Sequence, residues 1–219
     1  MAARARAIVS AAASANELPV LLADAGRGGA CASGYARWFG ELANAIGGAR
    51  ALVVVHTGPD CPAAPHVVAD SVPALARASH ARVLLDVGAA PSPAAAANLA
   101  AAGGPDVDGV ALNVGGYAPD NTATATAQAI QRALHTRTGR DGCLTVIDSS
   151  RNGAAVSGAC NPAGARVGLS LELPFDLTQP HQLWLTTPGL SDGPCGTAPA
   201  SRAGEFTPDL ALALAKRPG

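Results

Sequence analysis

The sequence predicts an α/β fold built on a sheet of parallel strands, and three observations lead to this prediction. Short apolar runs alternate with longer segments whose apolar residues recur at helical spacing. Successive apolar runs begin about 30 residues apart, as in strand–helix–strand units. The length of 219 residues suits one large α/β domain. The pattern indicates either a doubly wound sheet or an incomplete (β/α) barrel with right-handed crossovers, in a single domain spanning residues 1–219.

Each element is predicted from the local spacing of apolar residues and from residues that begin or end helices and strands. The apolar runs predict strands over 18–24, 51–55, 81–88, 108–114, 143–149 and 181–187. Helical spacing predicts helices over 3–16, 35–46, 67–79, 92–103, 120–137 and 207–217. Ser92 is placed to cap its helix with Pro93 at the first helical position, and Asp120 or Asn121 to cap the next. The irregular stretch 150–180 is long enough to be a lid or a binding loop.

The first 20 residues contain two early arginines and an alanine-rich stretch, so a secretory signal is one interpretation. The apolar core of that stretch is short and interrupted by serines, and it leads straight into a predicted strand. These features favour an amphipathic helix over a signal peptide.

Composition excludes several kinds of partner. The net charge is −1 and charged residues make up 14%, so nothing indicates a nucleic-acid partner or an anionic membrane surface. No apolar run reaches the length of a membrane span. None of the five cysteines has CxxC spacing, so we expect no zinc site and no cofactor. Cys143 begins an apolar strand and is interpreted as a buried free thiol.

Polar residues cluster where the predicted strands end. In a parallel sheet these carboxyl ends share one edge, where α/β enzymes place their chemistry. The candidates there are Asp24, the 56–61 loop, Asp86, Asn113, the 148–153 loop and Asp192. Such an edge suits a neutral, hydroxyl-rich ligand better than a phosphate. A phosphate-binding loop at "ADAGRGGACASG" is a weaker alternative, since it lacks the lysine and the glycine spacing of known motifs.

Four segments carry a family resemblance: "GVALNVGGY" (109–117), "VIDSSRNGA" (146–154), "CNPAGARVG" (160–168) and "LWLTTPGLSDGPCG" (183–196). In order and spacing they resemble glycoside hydrolase family 6, the inverting β-1,4-glucanases that comprise endoglucanases and cellobiohydrolases. The match is strong over about residues 105–217 and weaker upstream.

The resemblance implies a distorted barrel of parallel strands with a β-glucan chain lying across their carboxyl ends. It also implies a secreted monomer with disulfides Cys160–Cys195 and Cys31–Cys61. The family's first strand lies upstream of the first helix, so we expect this barrel to lack that strand.

Inverting hydrolysis needs a protonated carboxyl group and a second group that activates water. The resemblance aligns Asp192 with the family's candidate base. Asp60 matches the proton donor of a Glu-Pro-Asp motif if two inserted residues are admitted, whereas an ungapped alignment puts Gly58 there and His56 in place of the Glu. An ordinary turn aspartate is the alternative for Asp60. Asp24 is a candidate substitute for the carboxylate that supports the donor.

Further roles follow from the same alignment. Asn113, Asp86 and Trp184 are the candidate substrate-binding residues, with a cap of the strand end as the alternative for Asn113. Asp148 and Arg151 match architectural residues and are expected to form a buried pair that braces a strand end.

Several family residues are absent. Their positions hold Ala30, Ala89, Ala159, Thr186 and Leu190. Two functions therefore stay open: a β-1,4-glucan hydrolase with weakened catalysis, or a non-catalytic homologue that binds a glycan or a partner at the barrel mouth.

Overall fold

The computed structural model describes residues 1–24, 35–56, 64–78, 80–89, 91–140, 142–169 and 179–216. Within them the helices are α1 (Ala2–Ala15), α2 (Tyr35–Ile46), α3 (Ala64–Leu75), α4 (Pro93–Ala102), α5 (Asp120–Thr138) and α6 (Pro208–Ala215). The strands are β1 (Val20–Asp24), β2 (Ala51–His56), β3 (Ala81–Asp86), β4 (Gly109–Leu112), β5 (Leu144–Asp148) and β6 (His181–Leu183). A short 3₁₀ turn at Gly104–Asp106 was not expected. Every predicted helix and strand is present, with bounds that differ by a few residues.

The strands form one six-stranded sheet in the order β1-β2-β3-β4-β5-β6, which is also their order along the chain. Adjacent strands run parallel, as in the β1–β2 pair, where Leu22 lies opposite Val54. A doubly wound sheet reverses its strand order partway, whereas a (β/α) barrel keeps it sequential. The order therefore decides between the two architectures that the sequence left open, and the α/β, incomplete-barrel fold class is confirmed.

Two of the strands that are shorter than predicted, β4 and β6, end early for identifiable reasons. β4 ends at Leu112 because the next residue, Asn113, adopts a left-handed backbone with φ 60°. β6 ends at Leu183 because the backbone N–H of Leu185 donates to the Oδ1 atom of Asp148 at 3.2 Å and leaves the strand ladder. Both interruptions fall beside residues that were expected to be functional.

The chain divides into two compact units. The first comprises Met1–Asp86, Ala94–Val110 and Ala133–Leu144, and the second comprises Val87–Pro93, Ala111–Arg132 and Thr145–Gly219. The single domain expected for residues 1–219 stays a prediction.

The first unit is organised around an apolar core. Val53 and Val54 of β2 are fully buried, as are Phe39 of α2 and Leu75 of α3. Val9 belongs to the buried face of α1, the helix that the sequence favoured over a signal peptide. Burial of such side chains from several elements stabilises the unit by the hydrophobic effect.

The second unit relies more on loops held by polar contacts. All five residues of β5 are buried, but the segments around 150–169 and 184–206 contain no long element. Two glycines of the recognised segments show how closely these loops pack. A Cβ atom on Gly153 would overlap the carbonyl of Val167, and one on Gly196, whose φ is 55°, would overlap the carbonyl of Cys160. These positions accept only glycine without a backbone shift.

No helix in the described part of the chain is both long and apolar enough to cross a lipid bilayer.

Candidate functional site

Asp192 lies in the loop after β6, and its carboxylate is held by three donors. The hydroxyl of Tyr117 donates to Oδ2 at 2.7 Å, and the backbone N–H of Asn161 donates to the same oxygen at 2.9 Å. The guanidinium of Arg151 donates to Oδ1 at 2.7 Å. The side chain of Asp192 keeps 23% of its surface exposed. The carboxylate is therefore fixed in orientation yet accessible to solvent.

Arg151 and Tyr117 also contact each other. The guanidinium carbon of Arg151 lies 4.3 Å from the centre of the Tyr117 ring, which is cation–π geometry. Only 8% of the Arg151 side chain is exposed. Tyr117, Arg151, Asn161 and Asp192, named here the Asp192 cluster, form one connected set in which each contact restrains the others.

The expected pairing of Arg151 with Asp148 is wrong. Among the described residues, Arg151 forms its ion pair with Asp192. The oxygens of Asp148 are occupied by the N–H groups of Gly115 (2.7 Å) and Ser150 (2.9 Å), together with the Leu185 N–H described above. Asp148 still braces its strand end, but it does so through three backbone N–H groups and the hydroxyl of Thr186.

Asn161 ties the Asp192 loop to the segment after β5. Its Nδ2 atom donates to the carbonyl of Gly193 at 2.9 Å, and its Oδ1 atom accepts the N–H of Asp192 at 3.0 Å. The neighbouring residue forms the Cys160–Cys195 disulfide that the family resemblance implied, with a Cα–Cα distance of 5.9 Å. Asp192 therefore sits on a loop fastened both covalently and by hydrogen bonds.

Burial raises the pKa values of two ionisable groups in the second unit. Desolvation by burial, followed by donation to Asp192, raises the pKa of Tyr117 well above its ordinary value. The phenol therefore stays protonated at any physiological pH and is a permanent donor to Asp192. Desolvation also raises the pKa of Asp148, against the opposing effect of its hydrogen bonds from Gly115 and Ser150.

Thr186 stands where the family places a lysine, and its hydroxyl is already engaged. It donates to Oδ2 of Asp148 at 2.9 Å and shares a hydrogen bond of 2.6 Å with the hydroxyl of Ser150. Within the described residues, Arg151 is consequently the sole cationic partner of Asp192.

Asn113 is fully buried, and both ends of its amide have backbone partners. Nδ2 donates to the carbonyl of Asp148 at 2.9 Å, and Oδ1 accepts the N–H of Ala118 at 3.0 Å. A Cβ atom on Gly116 would overlap Oδ1, so the glycine leaves room for this arrangement. These contacts are compatible with the cap alternative, and the substrate-binding role of Asn113 stays a prediction.

Trp184 follows β6 directly and presents a large apolar ring to solvent. It is 45% exposed, and its indole N–H lies 3.4 Å from the carbonyl of Gly168. A ring that is anchored at its polar edge and open elsewhere has the properties of a stacking platform.

The first unit brings together other candidates at the ends of its strands. Nδ1 of His56, the last residue of β2, contacts Oδ2 of Asp86, the last residue of β3. Asp24, which ends β1, is the cross-strand neighbour of His56. A carboxylate at Nδ1 fixes the orientation and tautomer of an imidazole. His56 is thus paired with a predicted site residue. Asp60, Cys31 and Cys61 lie outside the described residues.

Three residues with clear roles were not predicted: Tyr117, Asn161 and, as a partner of Asp86, His56. Tyr117 and Asn161 are part of the quoted segments "GVALNVGGY" and "CNPAGARVG", so a motif comparison could have marked them. Their contacts with Asp192 join residues 75 and 31 positions apart, and no local pattern contains that information.

Comparison with known proteins agrees with this geometry. The family model described as glycosyl hydrolases family 6 matches residues 32–218. Endoglucanase 1 of Streptomyces halstedii is 37% identical over 107 residues, which are 48% of this chain and 32% of that protein. Endoglucanase A of Cellulomonas fimi is 36% identical over 113 residues, or 49% of this chain and 23% of that protein. The matched stretches thus span a third or less of these relatives' lengths.

Solved structures show the same relationship. The endoglucanase Cel6 of Mycobacterium tuberculosis, in complex with methyl-cellobiosyl-4-deoxy-4-thio-β-D-cellobioside, superposes with a TM-score of 0.81 at 26% identity. That alignment covers 98% of this chain and 80% of the mycobacterial one. An enzyme of this family from Orpinomyces sp. Y102 shares the fold, with a TM-score of 0.73 at 20% identity over 95% of this chain and 81% of its own. The chain therefore belongs to family 6 of the glycosyl hydrolases.

Proposed function

We propose that the protein is a glycoside hydrolase that cleaves β-1,4-glucan with inversion at the anomeric carbon. The observation that carries the proposal is the family match over residues 32–218. Two relatives named endoglucanases, and the cellobioside ligand of the mycobacterial structure, favour a cellulose-type glucan as substrate. The exposed ring of Trp184 is suited to stacking against a sugar.

In this reaction Asp60 donates its proton to the glycosidic oxygen as the bond to the anomeric carbon breaks. A water molecule attacks that carbon from the opposite face, and its proton passes to a carboxylate. Asp192 is proposed for this second role, with Asp24 as the alternative residue. A carboxylate offers about four lone-pair sites. Among the described residues, Tyr117, Asn161 and Arg151 use three of these sites at Asp192, which leaves one for water.

Catalysis is expected to be weak, since residues that assist the family's reaction are missing. Thr186 and Leu190 replace a Lys and a Glu near Asp192, and Ala89 replaces a His. Loss of one general acid or base typically lowers the rate by about 10²–10⁴-fold. The same replacements, with three donors on Asp192, favour the second candidate function, a non-catalytic homologue that binds glucan.

The experiment measures reducing ends released from soluble β-glucan between pH 4 and 8. We expect Asp192→Asn to lower the wild-type rate by about 100-fold or more. Asp106→Asn, at an exposed aspartate of the 3₁₀ turn, is the matched control and should leave the rate unchanged. A wild-type protein that is inert but binds cello-oligosaccharides in calorimetry would replace the hydrolase with the glycan-binding function. Absence of both activity and binding would remove both candidates.

An extracellular location is part of the same proposal. The Cys160–Cys195 disulfide supports it, because such bonds persist mainly in oxidising compartments. We also propose that the protein is a monomer, which sedimentation would test directly.

A further inference from the structure

The second unit contains a cavity that is lined by none of the residues of the Asp192 cluster. Its volume is about 690 Å³, within the range of natural small-molecule sites. It is lined by residues of 162–166, 197–201 and 205–210, with Ala213 and Lys216. We name it the Phe206 cavity after its one aromatic residue.

Phe206 is held in place although its ring is open to solvent. Phe206 is 53% exposed, whereas the backbone on either side is fixed to the loop before Asp192. The N–H of Ser191 donates to the carbonyl of Glu205 at 2.8 Å, and the N–H of Thr207 donates to the carbonyl of Gly189 at 2.9 Å. These contacts fix the backbone from which the ring projects.

Gly189 is the residue that lets the ring lie there. A Cβ atom at this position would approach Cε2 of Phe206 to 2.9 Å and Cβ of Ala211 to 2.7 Å. Since φ of Gly189 is also 98°, a side chain is disfavoured for two reasons. The exposed aromatic face is therefore a built feature of the loop and of α6.

The charges around the ring cancel. Arg166 and Lys216 contribute two positive groups, and Glu205 and Asp209 contribute two negative ones. The carboxylate of Asp209 forms no hydrogen bond within the described part of the chain. Arg166 is oriented by donation from Nη1 to the carbonyls of Ala165 at 2.8 Å and Ala213 at 3.3 Å. A guanidinium has five N–H donors, so further donors remain for a ligand.

We propose that the Phe206 cavity is a second binding site for a neutral, hydroxyl-rich ligand, namely a segment of β-1,4-glucan. A sugar's apolar ring face would stack on Phe206, while its hydroxyls would bond to Asp209, Glu205 and Arg166. The balanced charge disfavours phosphate, sulfate or an acidic polymer. The choice of β-glucan rests on the proposed function, and the site would hold the polymer without taking part in bond cleavage.

The test is a titration of the ¹⁵N-labelled Asp192→Asn protein with cellotetraose, followed by amide chemical shifts. We expect shifts to saturate among residues 197–209. Phe206→Ala should weaken this binding about tenfold, since loss of one aromatic stacking partner has that scale. Phe206→Tyr, which keeps the ring, should restore it. Leu212→Ala removes an exposed side chain of α6 that does not line the cavity and should leave the affinity unchanged.

The proposal is overturned if cellotetraose shifts none of the amides at 197–209, or if Phe206→Ala and Leu212→Ala behave alike. Sulfate that saturates the same amides when cellotetraose does not would identify an anion site instead. The two proposals can fail separately. If the wild type hydrolyses glucan but cellotetraose causes no amide shifts at 197–209, only the proposal of the second site is rejected. If the wild type is inert but its cavity binds cellotetraose through Phe206, only the proposed hydrolase activity is rejected.

Discussion

The two units of the molecule are stabilised in different ways. In the first, strands β1–β3 and helices α1–α3 surround buried aliphatic side chains such as Val53 and Val54. In the second, long loops are held by the disulfide and by hydrogen bonds to Asp148, Asn161 and Asp192. Apolar packing is non-directional, whereas hydrogen bonds and ion pairs fix orientation. The contrast indicates that candidate groups of the second unit lie on loops oriented by directional contacts, whereas Asp24, His56 and Asp86 of the first unit stand at the ends of strands fixed by apolar packing.

The disulfide should have the largest effect on stability. We expect the Cys160→Ser/Cys195→Ser variant to lose about 4 kcal/mol of unfolding free energy, because the bond joins residues 35 positions apart and restricts the unfolded chain. Urea denaturation measures this loss, and Cys143→Ser, at the free thiol, is the control. A loss equal to that of the control would mean that the polar contacts alone hold the second unit's loops.

The next prediction compares one ion pair from each unit, Arg151–Asp192 and Arg82–Asp108. Arg151→Met should destabilise the protein by about 3 kcal/mol, since it removes the partner of a largely buried carboxylate and the cation over Tyr117. Arg82 of the first unit bonds Asp108 at 2.6 Å, but its side chain is 67% exposed. Arg82→Met should therefore change stability by less than about 1 kcal/mol. Equal changes in urea denaturation would contradict the distinction between the units.

The smallest expected effect concerns the Tyr117 hydroxyl. At pH 7, Tyr117→Phe should cost about 1 kcal/mol, the usual net value of one hydrogen bond. The pKa of Tyr117 is raised in the folded protein, so above pH 10 the unfolded state loses this proton while the folded state keeps it. The Tyr117 proton then makes folding less favourable as pH rises, and this contribution is absent from Tyr117→Phe. The stability difference between wild type and Tyr117→Phe should shrink between pH 8 and 11, and a constant or growing difference in urea denaturation would disprove this assignment.

The sequence by itself determined the order and type of the elements. Hydrophobic periodicity, and the Gly, Pro and Ser residues that begin or end elements, are local features of the sequence. They therefore predicted every helix and strand to within a few residues. Four segments in the right order were also enough to identify the family and the Cys160–Cys195 bond.

Only the tertiary structure decided which polar groups meet. Arg151 bonds Asp192 instead of Asp148, Asn113 donates to the carbonyl of Asp148, and His56 contacts Asp86. Each of these contacts joins residues 30 or more positions apart. Partners at such separations are selected by folding, because a buried polar atom must find a donor or an acceptor wherever the chain brings one near.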